Sequence, residues 1–367
     1  KRYVKQGLKV VVEHDAGAEA FISDESFREA GAEIATDLTS AWASADVILT
    51  VGPLSGGDLP PVESLKQGCL VIGLLDPHRN TETIDAIKKH GARALAMELV
   101  PRITRAQPMD ALSSQASVAG YKAALVAADL LGRYFPLLMT AAGTIPPARI
   151  VVMGGGVAGL QALATAKRLG ALVEVSDIRP AVKEQVESLG GRFIELPEME
   201  GGESTEGSGG YAREMGEDFL TKQRKIVEQH LASANAAITT AQVPGKKAPM
   251  LISRTMVEAM KPGAVIVDLA AAQGGNCELT EPDQKIIHNG VTIFGPTNLA
   301  ATVPIDASTL YARNLSALLT SLLKDGELVL ADDDEVVAAA LVAGAKAPAA
   351  SAAAEPVTTG ADSGGSE

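Results

Sequence analysis

Gly154, Gly156 and Gly159 follow directly on the apolar run 149–153 and open a helical stretch over 160–169. Strand, G-x-G-x-x-G, helix is the order that holds a pyrophosphate. Gly154 permits the tight turn, Gly156 removes a side chain where backbone must approach phosphate, and Gly159 lets the helix pack close to the strand. The N-terminus of that helix then offers unpaired N–H groups to the anion. Asp177 ends the next strand, 18 residues past Gly159, where a carboxylate can hold a ribose 2′-hydroxyl. That favours NAD over NADP. Arg179 is of the type that receives a 2′-phosphate, but Asp177 beside it would repel that group.

A second group of polar side chains comes after a strand in the first third of the chain. Arg102, Gln107, Asp110 and Ser113 stand where ligands bind in α/β sheets, and they are suited to fix a nicotinamide carboxamide and ribose. Asp110 and Ser113 are equally the residues of a helix cap, and composition alone favours that plainer reading. No Ser/His/Asp or Cys/His arrangement accompanies them. The histidines, His14, His78, His90, His230 and His288, are scattered singly, and Cys69 and Cys277 have neither metal-ligand nor disulfide-framework spacing.

The elements that must position these groups are those of an α/β protein. Short β-branched runs at 9–13, 46–51, 69–74 and 93–96 alternate with amphipathic stretches, which implies a parallel sheet. An Ala/Leu-rich helix is predicted over 120–135, closed by Pro136, with a turn-rich connection over 140–147. Six further strands follow, at 149–153, 172–175, 192–196, 236–240, 264–268 and 291–294, in the rhythm of a doubly wound sheet. Leu310, Leu315, Leu318, Leu319 and Leu322 mark a helix that should return to the first domain. The acidic, Gly-rich stretch 197–210 reads as a long loop, and 338–367 as a linker or tail beside the solvated run Asp332 to Glu335.

A length of 367 residues accommodates two domains, and the formal charge of −13 speaks against nucleic acid as a partner. From Asp332 onward the chain carries −6 of that charge. No apolar run reaches the 18 or so residues that a membrane helix needs, and no apolar signal core opens the chain.

In these residues the chain resembles the NAD(H)-binding domain of proton-translocating NAD(P) transhydrogenase, in the alanine dehydrogenase/transhydrogenase family, over nearly everything up to about Lys324. The resemblance is carried by stretches 101–107 (PRITRAQ), 110–114 (DALSS), 140–149 (TAAGTIPPAR) and 157–162 (VAGLQA). Stretches 183–191 (KEQVESLGG), 210–216 (GYAREMG), 244–249 (PGKKAP) and 274–277 (GGNC) add to it. It implies two Rossmann-like doubly wound parallel-sheet domains with a cofactor cleft between them. One would comprise 1–140 completed by 303–331, the other 141–302, and 332–367 would be a disordered tail.

The resemblance also reverses the capping preference, making Arg102, Gln107, Asp110 and Ser113 the nicotinamide-side loop, joined by Ile103 and Thr104. Gln107 would reach toward the partner domain that holds NADP. Cofactor contacts are implied at Gly154, Gly156, Val157, Gly159, Asp177, Ile178, Arg179, Gly210, Gln223, Thr240 and Gln242, with Tyr211 on a mobile loop closing over NAD(H). No metal is implied. The partners would be an NADP(H)-binding domain, membrane-domain subunits and a second copy in a homodimer, on the cytoplasmic side of a bacterial inner membrane. Gly155 departs from a commonly larger residue and should be harmless in a loop, and the family's N-terminal strand is absent.

The nearest alternative is an alanine dehydrogenase-like oxidoreductase. Its Lys, His and Asp would fall at Gly52, Leu75 and Ala272, which leaves nothing to move the protons of oxidative deamination. Hydride exchange between two nicotinamides requires positioning and dryness instead. A third reading is a non-catalytic NAD(H)-binding module.

Overall fold

Arg149–Met153 (β1) turns Ile150 and Val152 toward one hydrophobic cluster and Val151 and Met153 toward another, and all four are buried. A strand covered on both faces is written as an unbroken apolar run, which is why this segment shows no alternation. In the computed structural model, which describes residues 1–196, 217–243, 245–324, 326–331 and 333–344, β1 lies within a seven-stranded sheet. Its companions are Leu172–Ser176 (β2), Arg192–Phe193 (β3), Ala236–Thr239 (β4), Val265–Asp268 (β5), Lys285–His288 (β6) and Val291–Phe294 (β7). The spatial order is β3-β2-β1-β4-β5-β7-β6, parallel throughout except that β6 runs antiparallel to β7. The order reverses between β1 and β4, the place where such sheets bind ligands. Edge strand β6 escapes the sequence reading because Lys285 and His288 break its apolar run and its burial merely alternates.

One face of the sheet is covered by Ala111–Leu130 (α1) and Val157–Arg168 (α2) through Ala123, Ala127, Leu163 and Ala166. Val182–Ser188 (α3) joins that layer through Val182 and Val186. The other face is covered by Glu217–Ser233 (α4) and Arg254–Ala259 (α5), through Val227, Leu231 and Val257. The α1–α2 crossing is tight: a Cβ on Gly120 would come 2.1 Å from the Ala158 carbonyl oxygen. Helix α1 begins at Ala111 rather than at 120, because Asp110 caps it, and ends at Leu130 rather than 135. The Ser-rich first turns, Leu112 to Ser117, hide that start from any search for apolar periodicity.

Packing divides the chain into Lys1–Thr36 with Pro101–Leu319, and Asp37–Val100 with Thr320–Glu367. This differs from the division expected at 140 and 303, because α1 is bound into the sheet of the fingerprint. Pro304–Leu322 (α6) returns to the segment before α1: Asn314 donates to the Pro108 carbonyl (2.8 Å), and Gln115 donates to that of Ala307 (3.2 Å). Strands Val11–Glu13 and Glu33–Ala35 form a parallel pair of their own, so the early rhythm of strands is divided between two sheets. In place of the turn expected at 140–147, Leu138–Thr140 and Gly143–Ile145 form a hairpin.

The second unit holds a four-stranded sheet in the order Leu341–Ala343, Arg93–Ala96, Leu70–Gly73 and Val47–Leu49. Its first strand lies inside the expected tail and pairs antiparallel with Arg93–Ala96. Helix Glu335–Ala340 precedes it, with Val336, Val337 and Ala340 buried, and Asp334 accepts from Val336 N (2.8 Å) as its cap. Asp334 and Glu335 are thus a helix start, where negative charge suits both the dipole and the free N–H groups. Among the described residues no helix is long and apolar enough to cross a membrane. Burial pushes the Cys69 and Cys277 thiols up to about 11, which removes both from thiolate chemistry at neutral pH.

Candidate functional site

The fingerprint turn has the strained backbone its glycines foretell. Gly154 has φ +103°, and a Cβ there would come 2.6 Å from Thr240 Oγ1, while one on Gly159 would lie 1.8 Å from the Gly154 carbonyl oxygen. At Gly156 a Cβ would meet nothing within 4 Å, so the backbone there faces open space. Gly155 is not the indifferent loop residue expected. A side chain there would strike Val182 Cγ1 at 2.2 Å, because α3 folds over the turn. Thr240 Oγ1 donates to the Gly154 carbonyl (3.0 Å) and ties the end of β4 to the same turn.

A cavity of about 710 Å³ opens beside this turn, and every residue lining it belongs to the first unit. It brings together Arg102, Ser113, Gly154, Gly156, Val157, Asp177, Ile178, Arg179, Gln223, Thr240 and Gln242. Gln107 and Asp110 line a smaller cavity of about 220 Å³ with Pro101 and Ala106, and Arg102 and Ser113 border both. Ile103 and Thr104 line neither, and Gly159 serves the helix–strand packing instead. Gly210 and Tyr211, with the stretch 197–210 read as a loop, lie outside the described residues.

Asp177, 5% exposed in its side chain, is committed within the protein. Its carboxylate accepts from Gly155 N (2.7 Å), from Arg179 N (2.8 Å), and from Arg179 Nε and Nη2 (2.9 and 2.8 Å). The acid therefore fixes both the fingerprint turn and the guanidinium of Arg179. Asp110 likewise has the capping role: it accepts from Ser113 N (2.8 Å) and from Ser113 Oγ (2.6 Å). Ser114 Oγ donates to Asn314 Oδ1 (2.7 Å), so α6 steadies the polar loop from behind.

Several lining residues carry no sequence signal. Among the described residues, Ser176 Oγ, Gln223 Oε1 and Gln273 Oε1 are buried polar atoms without a hydrogen-bond partner, and all three residues line this one cavity. Unpaired buried polar groups cost about 1–3 kcal/mol each, so a wall that gathers them is built for a polar ligand. Among the described residues, Arg102, Arg179, Arg224, Lys246 and Lys247 line the cavity against the single acid Asp177. In a chain of formal charge −13 that concentration of positive charge suits an anionic ligand. The motif 274–277 has a structural explanation. Buried Asp268 accepts from Asn276 N, Cys277 N and Thr280 Oγ1, and Asn276 Nδ2 donates to the carbonyls of Ala241 and Pro249. It clasps the loop that carries Gln242, Lys246 and Lys247. Signals of that kind depend on tertiary contacts and have no local pattern.

Comparison with known proteins agrees with this geometry. The family model for the alanine dehydrogenase/PNT N-terminal domain matches residues 1–119, and that for the C-terminal domain matches residues 123–349. The chain is 49% identical over 322 residues to the first part of the NAD(P) transhydrogenase alpha subunit of Rhodospirillum rubrum, covering 87% of this chain and 84% of that protein. A solved transhydrogenase from Sinorhizobium meliloti superposes with a TM-score of 0.82 at 43% identity, covering 94% of this chain and 92% of that one. An L-alanine dehydrogenase structure shares the fold, with a TM-score of 0.73 at 24% identity over 93% of this chain and 88% of its own.

Proposed function

The chain belongs to the alanine dehydrogenase/transhydrogenase family, and from that premise we propose that it is the NAD(H)-binding component of a proton-translocating NAD(P) transhydrogenase, passing hydride between NADH and NADP held on a partner domain. The observation that carries this reading is the composition of the cavity wall. The fingerprint turn borders it together with Arg102, Ser113 and Gln115, and among the described residues the lining includes no histidine, cysteine or glutamate, while its two lysines, Lys246 and Lys247, belong to the loop after β4 that Thr240 ties to the fingerprint turn. Its one acid, Asp177, is engaged by Arg179. A reaction that moves protons at an amino acid needs an available acid and base, whereas exchange between two nicotinamides needs only placement and exclusion of water. The position that would hold the competitor's histidine is Leu75, which is buried at 1% exposure.

The residues present fit the dinucleotide. Gly154, Gly156 and Val157 would hold the diphosphate through backbone, and Asp177 with Ile178 and Arg179 would border the adenosine ribose, an acid there favouring NAD(H) over NADP(H). Gln223, Thr240 and Gln242 would complete that side, where the buried Oε1 of Gln223 could accept a hydrogen bond from the ligand. When bound, the nicotinamide ring supplies the hydride at C4. Arg102, Gln107, Asp110 and Ser113 would orient the ring, on a loop held by the cap on α1 and by Asn314.

Proton translocation then belongs to membrane-domain subunits, which would hold this chain on the cytoplasmic face of a bacterial inner membrane. A homodimer is part of the proposal, and Tyr134, Leu137 and Met139, at 58%, 54% and 80% exposure, offer apolar surface for it. Titration of the purified chain with NADH, followed by nicotinamide fluorescence, should show saturable binding with no alanine-dependent reduction of NAD. Alanine-dependent reduction would move the assignment to the dehydrogenase, and absence of binding would remove the cofactor.

A further inference from the structure

The diphosphate of a dinucleotide is a dianion, and a helix N-terminus supplies about half an elementary charge against it. Cationic side chains can supply part of the balance, and Arg179 is engaged with Asp177. The loop after β4 is well placed to supply it. Strand β4 pairs in parallel with β1, so both loops leave the same carboxyl end of the sheet, and Thr240 joins them by its bond to Gly154.

That loop carries Lys246 and Lys247, and both line the cavity. It is held from below: Asn276 Nδ2 donates to Ala241 O (2.9 Å) and Pro249 O (2.8 Å), and Ala248 N donates to Gln273 O (2.9 Å). The stem of Lys247 packs over Gly274, where an added Cβ would come 2.9 Å from its Cε. A long side chain steered by such packing keeps its charge at a defined place, with less freedom to lose on binding. Arg224 lines the same cavity and donates to the Met250 carbonyl (3.2 and 3.0 Å), which fixes a third cation beside the end of this loop.

We propose that Lys246 and Lys247 form a phosphate-binding lip that neutralises the diphosphate of the dinucleotide, a role that rests on the NAD(H) reading above. Ligands should then be sorted by their phosphates. The test measures the affinity of wild type and of the double variant K246M/K247M, which keeps the apolar stems, for NADH, ADP-ribose, AMP and adenosine by calorimetry. The double variant should bind NADH and ADP-ribose about tenfold more weakly at low salt, AMP less so, and adenosine within about twofold of wild type. The dependence of NADH affinity on salt should flatten, and K246R/K247R should restore it.

Equal loss for all four ligands would mean that the loop has merely collapsed, and would overturn the proposal. So would unchanged affinity for NADH in a double variant whose wild type binds it, with the NAD(H) reading left intact. Failure of wild type to bind NADH or ADP-ribose would instead defeat the dinucleotide reading, and the lip with it.

Discussion

The fingerprint turn and the polar loop at 101–115 border the same cavity, yet they are built on opposite terms. Around Gly154, Gly156 and Gly159 the ligand-facing surface is backbone, and side chains at 154 and 159 would collide with Thr240 or with the Gly154 carbonyl. In the loop the surface is made of side chains, and those of Asp110 and Ser113 are already bonded to each other. At 154, 155 and 159 the first region tolerates almost no change of shape. The second commits its polar groups to holding a helix start, and α6 supports it through Asn314. Under the proposed reading, the first region would be a rigid phosphate end and the second a nicotinamide end tuned by a few hydrogen bonds.

The contrast can be broken most forcefully at Gly159. A valine there would meet the Gly154 carbonyl and should cost about 3 kcal/mol of stability, read from urea unfolding, together with NADH binding. A stable variant that binds NADH would mean that the turn is softer than its contacts indicate. Asp177→Asn comes next. Removing the charge that holds Arg179 and Gly155 N should cost about 2 kcal/mol of stability as well as weakening NADH, because the group is structural before it is a ligand. Weaker NADH binding at unchanged stability would return Asp177 to a pure ribose contact. Asp110→Ala, by loss of a cap, should cost only about 1 kcal/mol, measured in the same unfolding experiment. No change there would show that α6, rather than the cap, holds the loop.

What can be read from sequence follows the same division. The strand–turn–helix at 149–169 is legible because each glycine answers a local need, and the seven-stranded sheet is legible except for β6. The start of α1 is not, since the turns after Asp110 are rich in serine and show no apolar stripe. Helix Glu335–Ala340 has the composition of a tail, because the burial of Val336 and Val337 depends on Arg93–Ala96, a strand far earlier in the chain to which the following segment pairs. The roles of Ser176, Gln273, Lys246 and Lys247 are hidden for a related reason. Each is set by what folds against it, and no spacing in the sequence announces that.

The central claim, that this chain holds NADH for direct transfer to a partner-bound nicotinamide, is tested most directly by mixing it with an NADP-binding domain of a transhydrogenase and following reduction of an NADP analogue. Exchange should proceed at saturating NADH, and Arg102→Ala should slow it far more than it weakens NADH binding. No exchange at saturating NADH, with the partner domain loaded, would contradict the account.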